Sequence, residues 1–486
     1  MLRPWDLTVA LDRASGVPAW LQIANAMIAA IRRGRLPPGT ALPGTRDLAA
    51  RIGVNRKTVQ QSYDELIAQG WLNADSTRGT FVSAELPVMN GGAAPAAARP
   101  ETDLQLRRAA PDLALALPRE GVLTFDDGAP DTRLMPAEFL ARAWRRALLE
   151  AARHNRLGYG DPRGIPPLRE AVAEMLRTDR GLPCTADNIC ITRGSQMAIF
   201  LAARLLAGPG DRVVFESLSY PPAREAFAAT GAEICRVGLD EQGMMLDQLD
   251  MLCREGSVRA VYVTPHHQFP TTVVLPQQRR ILLQSLAETH GFAIVEDDYD
   301  HEFHFSHRPM LPLASGHGFG RLLYIGSLSK LLSPSLRIGY LVAAPAVIER
   351  AAAEICLIDR QGDPVTEAAA AELMTSGALK SHTRKVLRVY AQRRECLAAA
   401  LREELGEAIE FLLPQGGLAL WVNFSQEIDV AALAAAGLQH GVGIMPGQAF
   451  ATNGFRSNGV RLGFGSLDEA QLREAVKRLK RAIDAD

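Results

Sequence analysis

Apolar residues recur at helical spacing early in the chain. Trp20, Leu21, Ile23, Ala24, Met27, Ile28 and Ile31 share one face, and Pro37-Pro38-Gly39 ends the run. A short helix is expected from about Arg46 to Arg51, with Thr45 as its N-cap. Gly53 turns the chain, and Asn55 is placed to cap a third helix from Arg56 to about Ala68. Val59, Tyr63, Leu66 and Ile67 give that helix a core-facing stripe. Two short segments, WLNA and GTFVS, then flank a turn carrying Arg78 and Gly79. The pattern predicts a helix, a helix-turn-helix and a β-wing.

Farther along, the period changes. The runs DNICITR, DRVVFES, AVYVTP, FAIVEDD and RLLYIGS alternate with amphipathic stretches such as LREAVAEMLR and QQRRILLQSLAETH. Such alternation predicts a mainly parallel α/β sheet covered by helices on both faces. Residues 84–118, rich in Ala and Pro, sustain neither period and read as a flexible linker with polyproline character. Its roughly 35 residues could span on the order of 110 Å if fully extended. The expected organisation is a small domain at 1–83, the linker at 84–118 and a large α/β domain at 119–486, with no internal repeat.

A chain of 486 residues is too long for one hydrophobic core, which agrees with this division. The formal net charge of −1 conceals an asymmetry: residues 1–83 carry ten Lys and Arg against six Asp and Glu, a net of +4, and the remainder carries −5. A basic small domain on an acidic large one implies an anionic partner for the small one. The N-terminal stretch has no apolar signal region, and no run approaches the roughly 18 apolar residues of a membrane span. Six Cys without a C-x-x-C pair give neither a disulfide framework nor a zinc site, so a reduced, cytoplasmic protein is expected.

Candidate chemistry follows from these placements. The third helix puts Arg56, Lys57 and Gln60 near its exposed N-terminal end, as a helix that enters a DNA major groove requires. A three-helix packing module with a solvated basic face fits the spacing equally well. In the large domain, YIGSLSKLLSPSLRIGY sets Lys330 after an apolar strand, with Ser327, Ser329 and Arg337 as a phosphate cradle. A desolvated Lys there is competent for Schiff-base chemistry; an exposed loop with a surface Lys is the alternative. AIVEDDYDHEF puts Asp297 and Tyr299 at the C-terminal edge of the sheet, where a carboxylate could hold a protonated pyridine nitrogen or merely end a strand. ITRGSQ places Ser195 and Gln196 at a helix N-terminus, a setting that favours anions.

Residues 15–83 resemble the GntR-type winged helix-turn-helix through Leu42-Pro43-Gly44-Thr45-Arg46, Asn55-Arg56-Lys57-Thr58-Val59 and Arg78-Gly79-Thr80. That resemblance implies DNA contacts by Arg46, Asn55, Arg56, Lys57, Gln60 and Arg78. The large domain resembles fold-type I, pyridoxal 5'-phosphate (PLP)-dependent enzymes of the aminotransferase superfamily. It implies Lys330 as the internal-aldimine lysine, Asp297 on the pyridine nitrogen and Tyr299 on the ring hydroxyl. Ser195, Gln196, Ser327, Ser329 and Arg337 would hold the phosphate, and Tyr220, in FESLSYPPAR, would stack on the ring. Tyr159 matches the tyrosine that reaches a neighbouring subunit's phosphate, which implies a homodimer, and Arg461 matches the arginine that grips an amino-acid carboxylate; a surface Arg at a strand end is its other reading.

Two departures bear on function. HHQFPTT puts Phe269 where aminotransferases carry Asn and Thr272 where they carry Gly, which removes one partner of the ring hydroxyl. Pro221-Pro222 leaves no basic residue two positions after Tyr220, against a γ-amino acid effector. His266, His267, His301, His304 and His307 invite a metal reading, but spacing of three on a strand would throw their side chains to alternate faces, so no metal site is expected. The whole chain resembles the MocR/GabR group of bacterial, nucleoid-associated transcription regulators. This implies a PLP-dependent regulator of double-stranded DNA that senses PLP, an amino acid, or both, with at most a residual half-reaction. An active aminotransferase with an appended DNA-binding domain, and a repressor whose large domain only dimerises, are the alternatives.

Overall fold

The computed structural model describes residues 9, 11–12, 15–75, 78–87, 119–305, 310–426, 428–452 and 454–485. It divides into two units, residues 1–107 and 108–486. From residue 88 onward the expected linker lies outside the described residues, as does His307.

In the first unit, α1 (Ala19–Arg32), α2 (Thr45–Ile52) and α3 (Arg56–Ala68) precede a hairpin of β1 (Leu72–Asp75) and β2 (Gly79–Val82). The apolar stripes meet in one core, in which Ile23, Met27, Leu48, Val59, Tyr63 and Leu66 are buried. Asn55 caps α3 as expected: its side chain accepts from the Lys57 amide at 2.8 Å. Gly53 ends α2 in the left-handed region at φ 68°. The N-cap of α2 is Gly44, not Thr45. Thr45 is already helical, and its hydroxyl instead accepts from Arg56 Nε at 3.3 Å, joining the starts of α2 and α3. The Tyr63 hydroxyl donates to Pro43 O at 2.9 Å and ties the Leu42–Arg46 block to α3.

The second unit is built on a seven-stranded sheet. Its strands are β3 (Ile189–Thr192), β4 (Arg212–Glu216), β5 (Glu233–Val237), β6 (Ala260–Val263), β7 (Ala293–Asp298), β8 (Leu322–Ser327) and β9 (Gly339–Val342). Their spatial order is β3-β9-β8-β7-β6-β4-β5. All five strand-like runs read from the sequence are strands of this sheet. β9 alone runs opposite to the other six strands. Strands β6 and β8 are buried along their whole length, as parallel strands covered on both faces must be. Two apolar clusters, one on each face, hold the helices to the sheet.

A smaller antiparallel sheet follows, made of β10 (Ile409–Glu410), β11 (Ala419–Phe424), β12 (Met445–Pro446) and β13 (Gly459–Gly463). Their order is β10-β11-β13-β12. No helix among the described residues is long and apolar enough to cross a membrane.

Candidate functional site

On the first unit, Arg46, Asn55, Arg56, Lys57, Gln60 and Arg78 are all exposed. Arg56 and Lys57 stand at the first turn of α3, and Arg78 stands beside β2 at the wing turn, where Asp75 pairs with it at 3.3 Å. The Gln60 amide donates to Asp64 at 2.8 Å within α3. The arrangement offers a helix start and a wing to an anionic partner.

In the second unit the chemistry gathers at the C-terminal edge of the large sheet, the usual ligand crevice of open α/β folds. Asp297 lies near the end of β7, 4% exposed, and accepts a hydrogen bond from the Tyr262 hydroxyl at 2.6 Å. Its Oδ1 is buried and makes no hydrogen bond among the described residues. Burial pushes this carboxyl up to about 7, against the Tyr262 hydrogen bond and the nearby Lys330 ammonium, which both pull it down. Half-buried Lys330, just past β8, sets its ammonium 4.3 Å above the Tyr299 ring. Burial draws the Lys330 pKa down, and the nearby Asp300 opposes that shift.

The anion-binding side is built from close backbone approach. A helix, α4 (Gly194–Leu206), starts directly after β3. A Cβ on Gly339 would overlap the Gly194–Ser195 peptide, so only Gly lets β9 pack against this helix start. The Arg337 guanidinium lies over Gly194, where a Cβ would come within 3.1 Å of it, and it donates to Arg193 O at 2.8 Å. The Ser327 hydroxyl accepts from the Ser329 amide at 3.1 Å, and the buried Ser329 hydroxyl makes no hydrogen bond among the described residues. Ser195 and Gln196 occupy the first turn of α4, but the Gln196 amide nitrogen donates to Pro222 O at 3.1 Å. Its place in the first turn puts its backbone N–H among the helix-start donors that suit an anion.

Tyr220 precedes a helix that begins at Pro221, and its ring meets Phe269 edge-on at 5.2 Å. Phe269 also packs on Tyr299 and lies 4.5 Å beneath the Arg461 guanidinium. Arg461, on β13 and 1% exposed, donates to Asp127 O at 2.8 Å and to Pro270 O at 2.6 Å. It is a buried Arg facing this crevice, not a surface one. Thr272 takes φ 64°, the left-handed conformation that Gly adopts without cost. Tyr159 stands apart, 82% exposed, with the Arg360 guanidinium 4.9 Å from its ring.

Residues 123–479 match the family "Aminotransferase class I and II", and residues 20–82 match "Bacterial regulatory proteins, gntR family". The HTH-type transcriptional regulator TauR of Rhodobacter capsulatus is 32% identical, over 93% of this chain and 94% of its own. The chain belongs to the MocR-type regulators of the GntR family. Another relative, the probable rhizopine catabolism regulatory protein MocR of Rhizobium meliloti, is 29% identical over 97% of this chain and 95% of its own. Among solved structures, the multiple substrate aminotransferase of Thermococcus profundus superposes with a TM-score of 0.71 at 31% identity, covering 76% of this chain and 92% of its own.

As a MocR-type regulator the protein binds DNA through its GntR domain and takes PLP in its aminotransferase-like domain. The residues present fit that cofactor. A protonated pyridine nitrogen would satisfy Asp297 Oδ1 and set a directly hydrogen-bonded cation against the buried carboxyl. A phosphate would meet the free N–H groups of α4, the Ser329 hydroxyl and Arg337. When bound, PLP supplies an aldehyde for covalent attachment to an amine and an electron-withdrawing ring.

Sequence reasoning missed two partners in this regulator. Tyr262 serves Asp297 from the next strand, where it pairs in register with Val295. His267 Nδ1 lies 2.9 Å from Asp300 Oδ1, and its backbone carbonyl accepts from the Tyr299 hydroxyl at 2.9 Å. Burial alone would raise the Asp300 pKa, but His267 and Lys330 hold it below the usual range. The histidine expectation also fails in its premise: the strand ends at Asp298, so alternation does not govern His301 and His304.

Proposed function

We propose that PLP held at Lys330 is the signal receptor of this DNA-binding regulator, either as the effector itself or as the cofactor that captures an amino acid. The observation that carries this reading is the pairing of an orphaned, buried Asp297 oxygen with a lysine whose ammonium is destabilised by burial, within a chain that also carries a GntR domain. Tyr299 would serve the ring hydroxyl, Tyr220 the ring face, and Ser195, Gln196, Ser327, Ser329 and Arg337 the phosphate. Arg461 would receive an amino-acid carboxylate in exchange for the carbonyls of Asp127 and Pro270. The DNA contacts would be made by Arg46, Asn55, Arg56, Lys57, Gln60 and Arg78.

The domains run 1–83 for DNA binding, 84–118 for the linker and 119–486 for effector binding and dimerisation. Exposed Leu157, Tyr159 and Leu357 support a homodimer in which Tyr159 completes the partner's phosphate site. The protein would work in the bacterial cytoplasm, at the nucleoid. Phe269, packed between Tyr299 and Arg461, supports a receptor over an efficient aminotransferase. A ligand shifts the DNA-binding equilibrium only by its differential affinity for the two states.

The test is fluorescence anisotropy of full-length protein on DNA from upstream of its own gene, at fixed salt, without PLP, with PLP, and with PLP plus an amino-acid panel. PLP or an added amino acid changes the affinity of the wild type and leaves Lys330→Ala unmoved. A Lys330→Ala protein that responds as the wild type does would overturn the reading.

A further inference from the structure

The end of β7 carries two adjacent carboxylates, and strand alternation sends them to opposite faces of the sheet. Asp297 serves the cofactor crevice. Asp298 meets two imidazoles on the other face. His301 Nδ1 stands 2.9 Å from Asp298 Oδ2, and His266 Nδ1 stands 3.6 Å from Asp298 Oδ1. The two imidazole rings are 4.5 Å apart, centre to centre. All three side chains are buried, at 4% exposure for His266, 2% for Asp298 and 5% for His301. One donor atom from each lies within 4.8 Å of the others.

Buried polar groups are ordinarily satisfied by hydrogen bonds. Here both ring nitrogens of His266 and Asp298 Oδ1 make none among the described residues. A shared cation would satisfy them together.

We propose that His266, Asp298 and His301 bind a divalent first-row transition-metal ion, with zinc(II) the best match to the donors. Two neutral imidazole nitrogens and one carboxylate oxygen make a three-ligand set that leaves further positions open. Calcium and magnesium, which take oxygen ligands, do not suit two imidazoles. The support around the ligands is also in place. The Tyr324 hydroxyl donates to Asp298 Oδ2 at 2.6 Å and fixes the carboxylate, as outer-shell groups do at metal centres. Arg180, 3.6 Å from the same oxygen, has Glu302 as its own counter-ion and does not depend on Asp298 for charge balance. An entry path exists, because His301 forms part of the wall of a cavity of about 560 Å³ that His304, Glu302 and Lys380 also line. No sequence motif marks the site, since its histidines follow two different strands, β6 and β7.

The experiment uses full-length protein stripped with chelator, loaded with Zn²⁺ or Co²⁺ and passed through gel filtration. About one equivalent of zinc per chain stays with the wild type and with His304→Ser, a neighbour outside the ligand set. His266→Ser and His301→Ser fall to background. Zinc raises the melting temperature of the wild type and leaves both of these variants unchanged. X-ray absorption on the zinc-loaded wild type, which needs no variant to fold, yields a shell of imidazole nitrogen and oxygen. No retained zinc, equal retention in His266→Ser, or a shell of thiolate or of oxygen alone overturns the proposal. None of these readouts depends on PLP or DNA.

Discussion

The two units gather their polar groups in opposite ways. On the winged helix, the six side chains proposed to meet DNA are exposed, and water screens each of them. In the large domain, most of the groups proposed to meet PLP are buried or half-buried, and Asp297 has an oxygen that nothing in the described chain satisfies. The first arrangement costs the fold little and attracts a polyanion by number of charges. The second costs the fold free energy that one well-matched ligand returns. The contrast predicts that salt governs one unit and proton binding the other.

The largest expected effect is on DNA binding. Between about 50 and 200 mM salt, operator affinity falls on the order of a thousandfold, as for proteins that neutralise several phosphates. PLP affinity, measured by absorbance titration over the same range, changes by less than about tenfold. Equal salt slopes would abolish the distinction between the units.

Proton binding should act on the large domain. Glu216, buried at the end of β4, accepts from Gln268 at 2.9 Å, yet burial pushes its carboxyl up to about 8. Its folded pKa exceeds the unfolded value of 4.5, so the folded state keeps a proton that the unfolded state releases. Stability therefore falls as pH rises from about 4.5 to 8. Glu216→Gln removes that loss, and its advantage over the wild type in denaturant unfolding grows across this window to a few kcal/mol. An advantage independent of pH would mean that Glu216 is ionised in the fold.

How much was legible in the sequence follows the same division. The winged helix announces itself through neighbours in sequence: a cap directly before its helix, a Gly that ends a helix, apolar positions three and four apart. Even there, the α2 cap fell one residue early, because Thr45 had a use in binding Arg56. In the large domain the apolar runs marked five strands. β5, at the sheet edge, escaped, and so did β9, whose place is between β8, just before it in the chain, and β3, far away in sequence. Lys330, Asp297 and Arg461 stood out by residue type and order. Tyr262, His267 with Asp300, and the approach of His266 to His301 depend on which strands lie side by side, information that no local pattern carries.

The next effect in size sharpens the account of the buried site. Asp297→Asn keeps the shape of the side chain and removes its charge. PLP affinity falls about 10- to 100-fold, the range of a lost charge-assisted hydrogen bond of about 1.5–3 kcal/mol. Stability without PLP is unchanged or rises, because the cost of burying that carboxyl has been removed. A variant that loses stability and keeps its PLP affinity would make Asp297 a structural residue.

The smallest effect separates folding from binding at a single exposed position. Asn55 accepts from the Lys57 amide at 2.8 Å and is also proposed to meet DNA. Asn55→Ala loses the cap and costs about 1 kcal/mol of stability in the winged helix. Asn55→Asp keeps an acceptor and favours the helix dipole, so stability is held or slightly raised, but it sets a negative charge against phosphate. Thermal unfolding should then rank alanine below wild type and aspartate, while operator affinity ranks aspartate lowest. If aspartate binds operator as the wild type does, Asn55 is a cap only, and the contact surface of the winged helix begins at Arg56.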